Sequence, residues 1–419
     1  MQKKGCPEPA RKIVFYIPYD PCPPRSGAHI RCLQILSGLL ALRCEVMVLS
    51  SRDFAEKTWD TASIEYLKKL GVREISVYQK NIVDMIISAI IRRMYRVFNR
   101  FPPVDSVKYT PFGMRSWFKK IQREYRPDVL WMNYSVNDPL IDRREKTPFA
   151  TIIDYHDLFS SNLKMQGAVK QWFTGKPYRM IDPAVLREDF FESARFSADK
   201  KELQVITGYD KIVAISRGEA DVLRAFDRDA DIIHIPVTLH PVDCNNTYRE
   251  SAVFVTGPNV FNLQGLFYFT EKVLPAILRQ CPDFTLRVTG ACSDKVGPVK
   301  SVSFLGYVGD LKTCYCTARF AIGPVLGGTG QQIKITEAMA HGLPVVATRY
   351  SADSSPLVHG VSGFVAGNAE EFAGYCIRLW NDPELCRKMG ERAGESIREK
   401  YSEGLLLTKL REVLDLPAE

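Results

Sequence analysis

Gly327 to Thr348 limits the chain most, reading GGTGQQIKITEAMAHGLPVVAT: three glycines in four residues, a helical pattern, then a short apolar run. Another apolar run, Arg319 to Pro324 (RFAIGP), precedes it, so the order is strand, glycine loop, helix, strand. The first amides of a helix lack intrahelical partners and its N-terminus carries partial positive charge, which suits an anion, phosphate above all. Gly328 and Gly330 let backbone approach such a guest closely. Lys334 falls in the first helical turn, where a cation is unfavourable unless an anion sits nearby, and Glu337, three residues on, shares its face. His341-Gly342 ends the helix, with Pro344 just beyond. Pro344 to Thr348 is too apolar for a surface strand and fits a central parallel one. Taken bare, a glycine loop before a helix is either a phosphate cradle or a tight turn.

A chain of 419 residues has room for two α/β domains with large cores. Its 46% hydrophobic and 25% charged residues argue against disorder and against full membrane embedding. No apolar stretch reaches the roughly 18 to 20 residues of a spanning helix, and the polar, proline-broken start is unlike a secretory signal. The expectation is a cytoplasmic protein. Eleven cysteines form no C-x-x-C pair, and several lie in apolar runs, so reduced thiols are expected rather than a disulfide or zinc framework. A net charge of +8 suits an anionic substrate or an anionic membrane surface. No zinc-finger spacing, aromatic RNA-binding pattern or long basic arm points to nucleic acid.

Strand-like runs alternate with helical ones from the start: Arg11 to Pro18, Glu45 to Ser50, Arg73 to Tyr78, with helices from Ala28 and Thr61 between them. This alternation implies a doubly wound parallel sheet. In such sheets ligands collect beyond the carboxyl ends of strands, so the loop YDPCPPRSG after the first strand is either a wall of the site or a plain connector. Gly27 permits close approach there, and Arg25, His29 and Arg31 are polar groups within reach. Ala150 to Tyr155 ends in Asp154-Tyr-His-Asp157, which makes His156 a candidate for hydrogen bonding to a ligand or for proton transfer, or else a structural cap. Thr238 to Glu250 reads as a linker, and residues 251–402 repeat the alternating texture.

Residues 81–127 differ. Val83, Ile86, Ile87, Ile90, Met94, Val97, Phe98 and Phe101 keep helical spacing while Arg92, Arg93, Arg96 and Arg100 fill the gaps. Ten Lys or Arg stand against three acids between 81 and 126, which accounts for most of the net charge. Such a helix either lies in an anionic lipid surface or packs its stripe on the sheet. Residues 160 to 201 yield no clear order. Asp227-Arg-Asp229, between a helix and a strand, lies in the wrong context for a metal motif, and no metal is expected.

The string from Gly327 to Thr348 resembles the signature of the group 1, or family 4, glycosyltransferases, in which a glycine loop, a lysine and an E-A-M-A-x-G-x-P-V-V helix and strand hold a nucleotide-sugar donor. ELQVITGYDKIVAISRGEADVL resembles the last unit of that family's first domain. The resemblance implies the GT-B fold, with two doubly wound Rossmann-like domains facing a central cleft. Residues 1–238 would bind the acceptor, 239–250 link, 251–402 hold the nucleotide sugar, and 403–419 form a helix crossing back to the first domain. It implies transfer, with retention, from a nucleotide-diphosphate sugar co-substrate to a saccharide or lipid-linked acceptor; the cationic segment of residues 81–127 adds the option of a peripheral place on the inner membrane face. His156, Lys334 and Glu337 would be catalytic. Gly27, Ser216, Gly257, Val308, Gly328, Thr329 and Gly330 would line the donor, with Arg25 and Asp157 on the acceptor side. Thr329 stands where the family usually carries a first glutamate, and the loop after Gly257 lacks the usual arginine, which moves phosphate contact onto Lys334 or Arg217. A catalytically idle scaffold or a sugar-nucleotide epimerase of the same fold are the alternatives.

Overall fold

The computed structural model describes residues 11–417 except 25, 54–57, 99, 144–147, 176–178, 181–182, 193, 195–196, 258, 291 and 293–295. In chain order the first part comprises β1 (Lys12–Ile17), α1 (Gly27–Ala41), β2 (Glu45–Arg52), α2 (Thr61–Leu70), β3 (Glu74–Gln79), α3 (Ile82–Val97), α4 (Phe112–Tyr125), β4 (Val129–Asn133) and β5 (Ala150–Tyr155). Then come α5 (Phe159–Lys170), the hairpin β6 (Phe173–Thr174) and β7 (Arg179–Met180), α6 (Lys200–Gln204), β8 (Lys211–Ala214), α7 (Arg217–Phe226) and β9 (Ile232–His234). Seven strands pair in parallel in the order β3-β2-β1-β4-β5-β8-β9. Helices cover both faces, so β1 and β4 are apolar along nearly their whole length and buried. Side chains set the helix starts: Ser26 accepts from His29 N, Asp60 from Ser63 N, and Ser216 from Glu219 N.

The second part comprises β10 (Ala252–Thr256), α8 (Val260–Tyr268), α9 (Leu274–Gln280), β11 (Leu286–Gly290), β12 (Val302–Phe304), α10 (Leu311–Cys316), β13 (Ala321–Gly323) and α11 (Ile333–Ala340). It continues through β14 (Val345–Thr348), α12 (Arg349–Asp353), β15 (Gly363–Ala366), α13 (Ala369–Asn381), α14 (Pro383–Lys400) and α15 (Glu403–Val413). Its strands, all parallel, run β12-β11-β10-β13-β14-β15. The helix expected from Gly265 starts at Val260, because Asn259 Oδ1 caps it by accepting from Phe261 N.

One open choice closes and two expectations change. The apolar stripe of α3 does not pack on the sheet: Ile82, Ile86, Ile90, Met94 and Val97 are exposed. Arg31, expected near the cleft, is buried in the first core, because its guanidinium pairs with Asp154 at 2.7 Å and donates to Ile235 O. The cysteines are not all reduced: Cys244 in the linker is bonded to Cys316 at the end of α10, although 72 residues separate them. The other eight described cysteines form no disulfide, and seven of those are buried. The segment after β5, unordered on sequence grounds, crosses to the second sheet. Met165, Val169, Phe173, Leu186 and Phe191 join one core with Phe261, Leu266 and Phe267. In the other direction α15 returns to α1, where Leu406 and Leu410 pack with Ile35, Leu36 and Leu39.

Candidate active site between the two sheets

Strand order reverses between β1 and β4 in one sheet and between β10 and β13 in the other, and the crevices beyond those carboxyl ends are where a ligand fits. The loops from these ends meet. Gly330 N donates to Glu219 Oε1 at 2.8 Å, Asn162 Nδ2 donates to Thr329 Oγ1 at 2.7 Å, and Val237 N donates to Gln331 Oε1 at 2.6 Å. Gly330 has φ +77°, and a Cβ there would stand 2.7 Å from the carbonyl oxygen of His156, so only glycine fits. Gly27, in the first turn of α1, abuts the side chain of Ile333 at the start of α11. Gly328, at φ +118°, offers its carbonyl to the Tyr350 hydroxyl.

On the second-domain side, Lys334 projects from the first turn of α11 toward the end of β10. Its Nζ donates to Asn262 Oδ1 at 2.5 Å and would lie 3.3 Å from a Cβ on Gly257. Burial pushes its pKa down to about 8, against the pull of Cys292 and Glu337. No carboxylate pairs with it among the described residues. Glu337 accepts a long hydrogen bond from the Tyr315 hydroxyl, and burial raises its pKa while Lys334 lowers it. The Tyr315 ring also carries His341, whose Nδ1 donates to Glu337 O at 2.7 Å. Val308 is half-buried against the same core group as Tyr315, whereas Tyr307 beside it is 87% exposed.

On the first-domain side, His156 is buried under the Tyr134 ring. Its Nε2 lies 2.8 Å from Asn133 Oδ1 and 3.5 Å from Asp154 Oδ2. Asn133 Nδ2 is already donating to Tyr16 O, so Oδ1 can only accept and the imidazole proton belongs on Nε2. Nδ1 is left as an acceptor without a partner, suited to a hydroxyl donor. Burial lowers the ring's pKa and Asp154 opposes it. Asp157 accepts from Asn162 through Oδ2, while Oδ1 is enclosed and unpartnered. Burial, then Glu202, raises Asp157 to about 7, and burial, then Asp157, raises Glu219 to about 8.

The structure thus gathers His156, Asp157, Gly27, Thr329 and Gly330 at one seam, and Gly257, Lys334, Glu337 and Val308 along the second domain. The Ser216 hydroxyl is engaged, capping α7 and lying 2.8 Å from Glu219 Oε2. Arg25 lies outside the described residues. Arg217 lines a cavity of about 240 Å³ with Asp221, Thr329, Gln332 and Asp353, while Lys334 is not among its walls. Three contributors escaped sequence reasoning: Asn262, Asn162 and Glu219. Glu219 had a signal, since Ser216-x-x-Glu219 is a capping-box pattern, but nothing local says that its carboxylate also reaches Gly330.

Residues 249–382 match the family described as "Glycosyl transferases group 1". This second part of the chain is similar to the group 1 glycosyltransferases. A Klebsiella pneumoniae relative, described as an uncharacterized 44.6 kDa protein in the cps region, is 26% identical over 233 residues, covering 51% of this chain and 57% of its own length. The chain spans about half the length of the curated relatives it matches. Among solved structures, the sucrose-phosphate synthase of Thermosynechococcus elongatus superimposes with a TM-score of 0.62 at 16% identity, covering 97% of this chain and 98% of that one. The Anabaena protein HepE, in complex with UDP-glucose, gives 0.59 at 15% identity, covering 97% and 99%. The chain therefore has the GT-B fold over nearly its whole length.

Proposed function

We propose that the chain transfers a sugar from a nucleotide-diphosphate sugar to a saccharide or lipid-linked acceptor, with retention of configuration, in the synthesis of a surface polysaccharide or glycoconjugate. The observation that carries this reading is Lys334: a half-buried cation on the first turn of a helix, with no carboxylate partner among the described residues and beside Gly257. Such a charge is costly to hold unless an anion completes it. The UDP-glucose complex of the Anabaena neighbour and the cps-region relative support the choice of donor and of product class.

In the proposed reaction the bond from the anomeric carbon to the diphosphate breaks as the acceptor hydroxyl attacks, and negative charge grows on the leaving phosphate. Lys334 and the backbone of the Gly328 to Gly330 loop, where the Gly330 amide would have to exchange Glu219 for the phosphate, would stabilise that charge, an effect commonly worth about 3 kcal/mol per donor, so no metal is invoked. Glu337 would hold the ribose hydroxyls and Val308 would flank the base. His156 Nδ1 would accept from a hydroxyl of the transferred sugar. Asp157 lies on the acceptor side. The loops already in contact would exclude water, whose attack is the competing reaction.

Calorimetric titration with UDP, GDP, ADP and CDP tests the donor site on wild type, Lys334→Ala and Glu337→Ala. One nucleotide should bind, and both variants should weaken it about tenfold or more. An anion raises the pKa of Lys334 above about 8, so binding takes up a proton at and above that pH and weakens as pH rises further. Folded protein that binds none of them would reject the donor site. A second reading, an idle scaffold, draws on Thr329 and Gly330 already being engaged by Asn162 and Glu219. Nucleotide binding without release of nucleotide from any sugar donor would favour it.

A further inference from the structure

We infer that α3 and the segment following it form a docking surface for an anionic lipid bilayer. This inference does not depend on the transfer reading. A helix turns about 100° per residue, so Ile82, Val83, Ile86, Ile90, Met94 and Val97 share a face about 120° wide. Asp84, Ser88 and Tyr95 lie on the opposite face and hold the helix to the body: Tyr78 donates to Asp84 Oδ2 at 2.9 Å, and Ser88 Oγ donates to Lys108 O. The apolar face therefore points away from the protein, with its six side chains 53–75% exposed. Eight of the fourteen large exposed hydrophobic residues among those described fall between Ile82 and Phe101, where a soluble surface would scatter them.

Charge selects the partner. Arg92, Arg93, Arg96 and Arg100 are exposed along and beyond the helix, with no ion-pair partner among the described residues, and the only acid on α3, Asp84, is buried. An apolar face bordered by unpaired arginines matches acyl chains below and anionic headgroups around it. A spanning role is not open, since no helix among the described residues is long and apolar enough to cross a membrane. The surface continues past the helix end into a groove of about 490 Å³ walled by Phe101, Pro102, Phe159 and Leu163, with Arg100 at its edge and Lys164 paired to Asp199. The groove lies against α5, the helix whose Asn162 reaches Thr329, so a bilayer-bound amphiphile would lie one helix away from the seam between the domains.

Cosedimentation of the full chain with phosphatidylcholine–phosphatidylglycerol vesicles, and with phosphatidylcholine vesicles alone, tests this. Wild type should bind only the anionic vesicles, and less in high salt. The exposed triples Ile86→Ser/Ile90→Ser/Met94→Ser and Arg92→Glu/Arg93→Glu/Arg96→Glu should each weaken binding about tenfold or more while keeping the wild-type melting temperature. Absence of binding to anionic vesicles would overturn the inference, as would an apolar triple that binds as wild type does. So would vesicle-free sedimentation in which wild type self-associates and the apolar triple does not, since the face would then join two copies of the chain.

Discussion

At the scale of single residues, the seam between the domains is set by protonation as much as by shape. Glu219 is buried, bonded across the cleft to Gly330 N, and raised to about 8 by burial and by Asp157. Because its folded pKa lies above that of an unfolded glutamate, the folded state keeps the proton longer. Its stabilisation is full below about pH 4 and is lost as pH rises through about 8. Glu219→Gln keeps an acceptor for Gly330 N without titrating. The variant should gain roughly 1 to 3 kcal/mol over wild type between pH 5 and pH 8. Parallel urea-melt stabilities across that range would refute this. None of it was legible locally: Ser216-x-x-Glu219 announces a cap, but the proton affinity comes from burial and from Asp157, 62 residues earlier, with the Gly330 amide of the other domain opposing them.

At the scale of elements, α1 is held by a buried charge pair. Arg31 Nε and Nη2 grip Asp154 on β5, and Nη1 donates to Ile235 O at 2.6 Å just past β9, so one side chain ties three elements together. Arg31→Met should cost about 3 to 5 kcal/mol in urea unfolding, because Asp154 is left charged with only the His156 ring, 3.5 Å away, beside it, whereas Arg31→Met/Asp154→Leu should recover more than half of that loss. A double variant no better than the single one would show that the arginine acts through packing. The sequence placed α1 and β5 within two residues of their observed bounds, since apolar spacing and caps are local. It also put Arg31 near the cleft. A helix start near a binding loop suggests that, and only the position of Asp154 across the sheet reverses it.

At the scale of the molecule, the domains are laced twice. The segment from α5 to Phe191 joins the second core, and α15 joins the first. Interfaces of this apolar kind couple domains, unlike polar ones that let them move freely. Calorimetry should therefore show a single unfolding transition. Truncation after Tyr401 removes Leu406, Leu410, Val413 and Leu414 from the face of α1, each worth about 1.5 to 3 kcal/mol, so that one transition should move several degrees lower. Two separate peaks, the first unmoved by truncation, would contradict this.

What the sequence determined by itself is whatever short-range spacing encodes. It set the alternation that makes two parallel sheets, the glycine loop leading into Lys334 and Glu337 on one helical face, and the amphipathic pattern of α3. Tertiary structure decided the rest. It set which face of α3 meets solvent, the return of Arg31 into the core, the bond from Cys244 to Cys316, and the arrival of Asn162 and Glu219 at Thr329 and Gly330. These are contacts between residues tens to hundreds of positions apart. Helical and strand periodicity reports only that a side chain has a face, whereas what lies opposite that face depends on how distant elements pack.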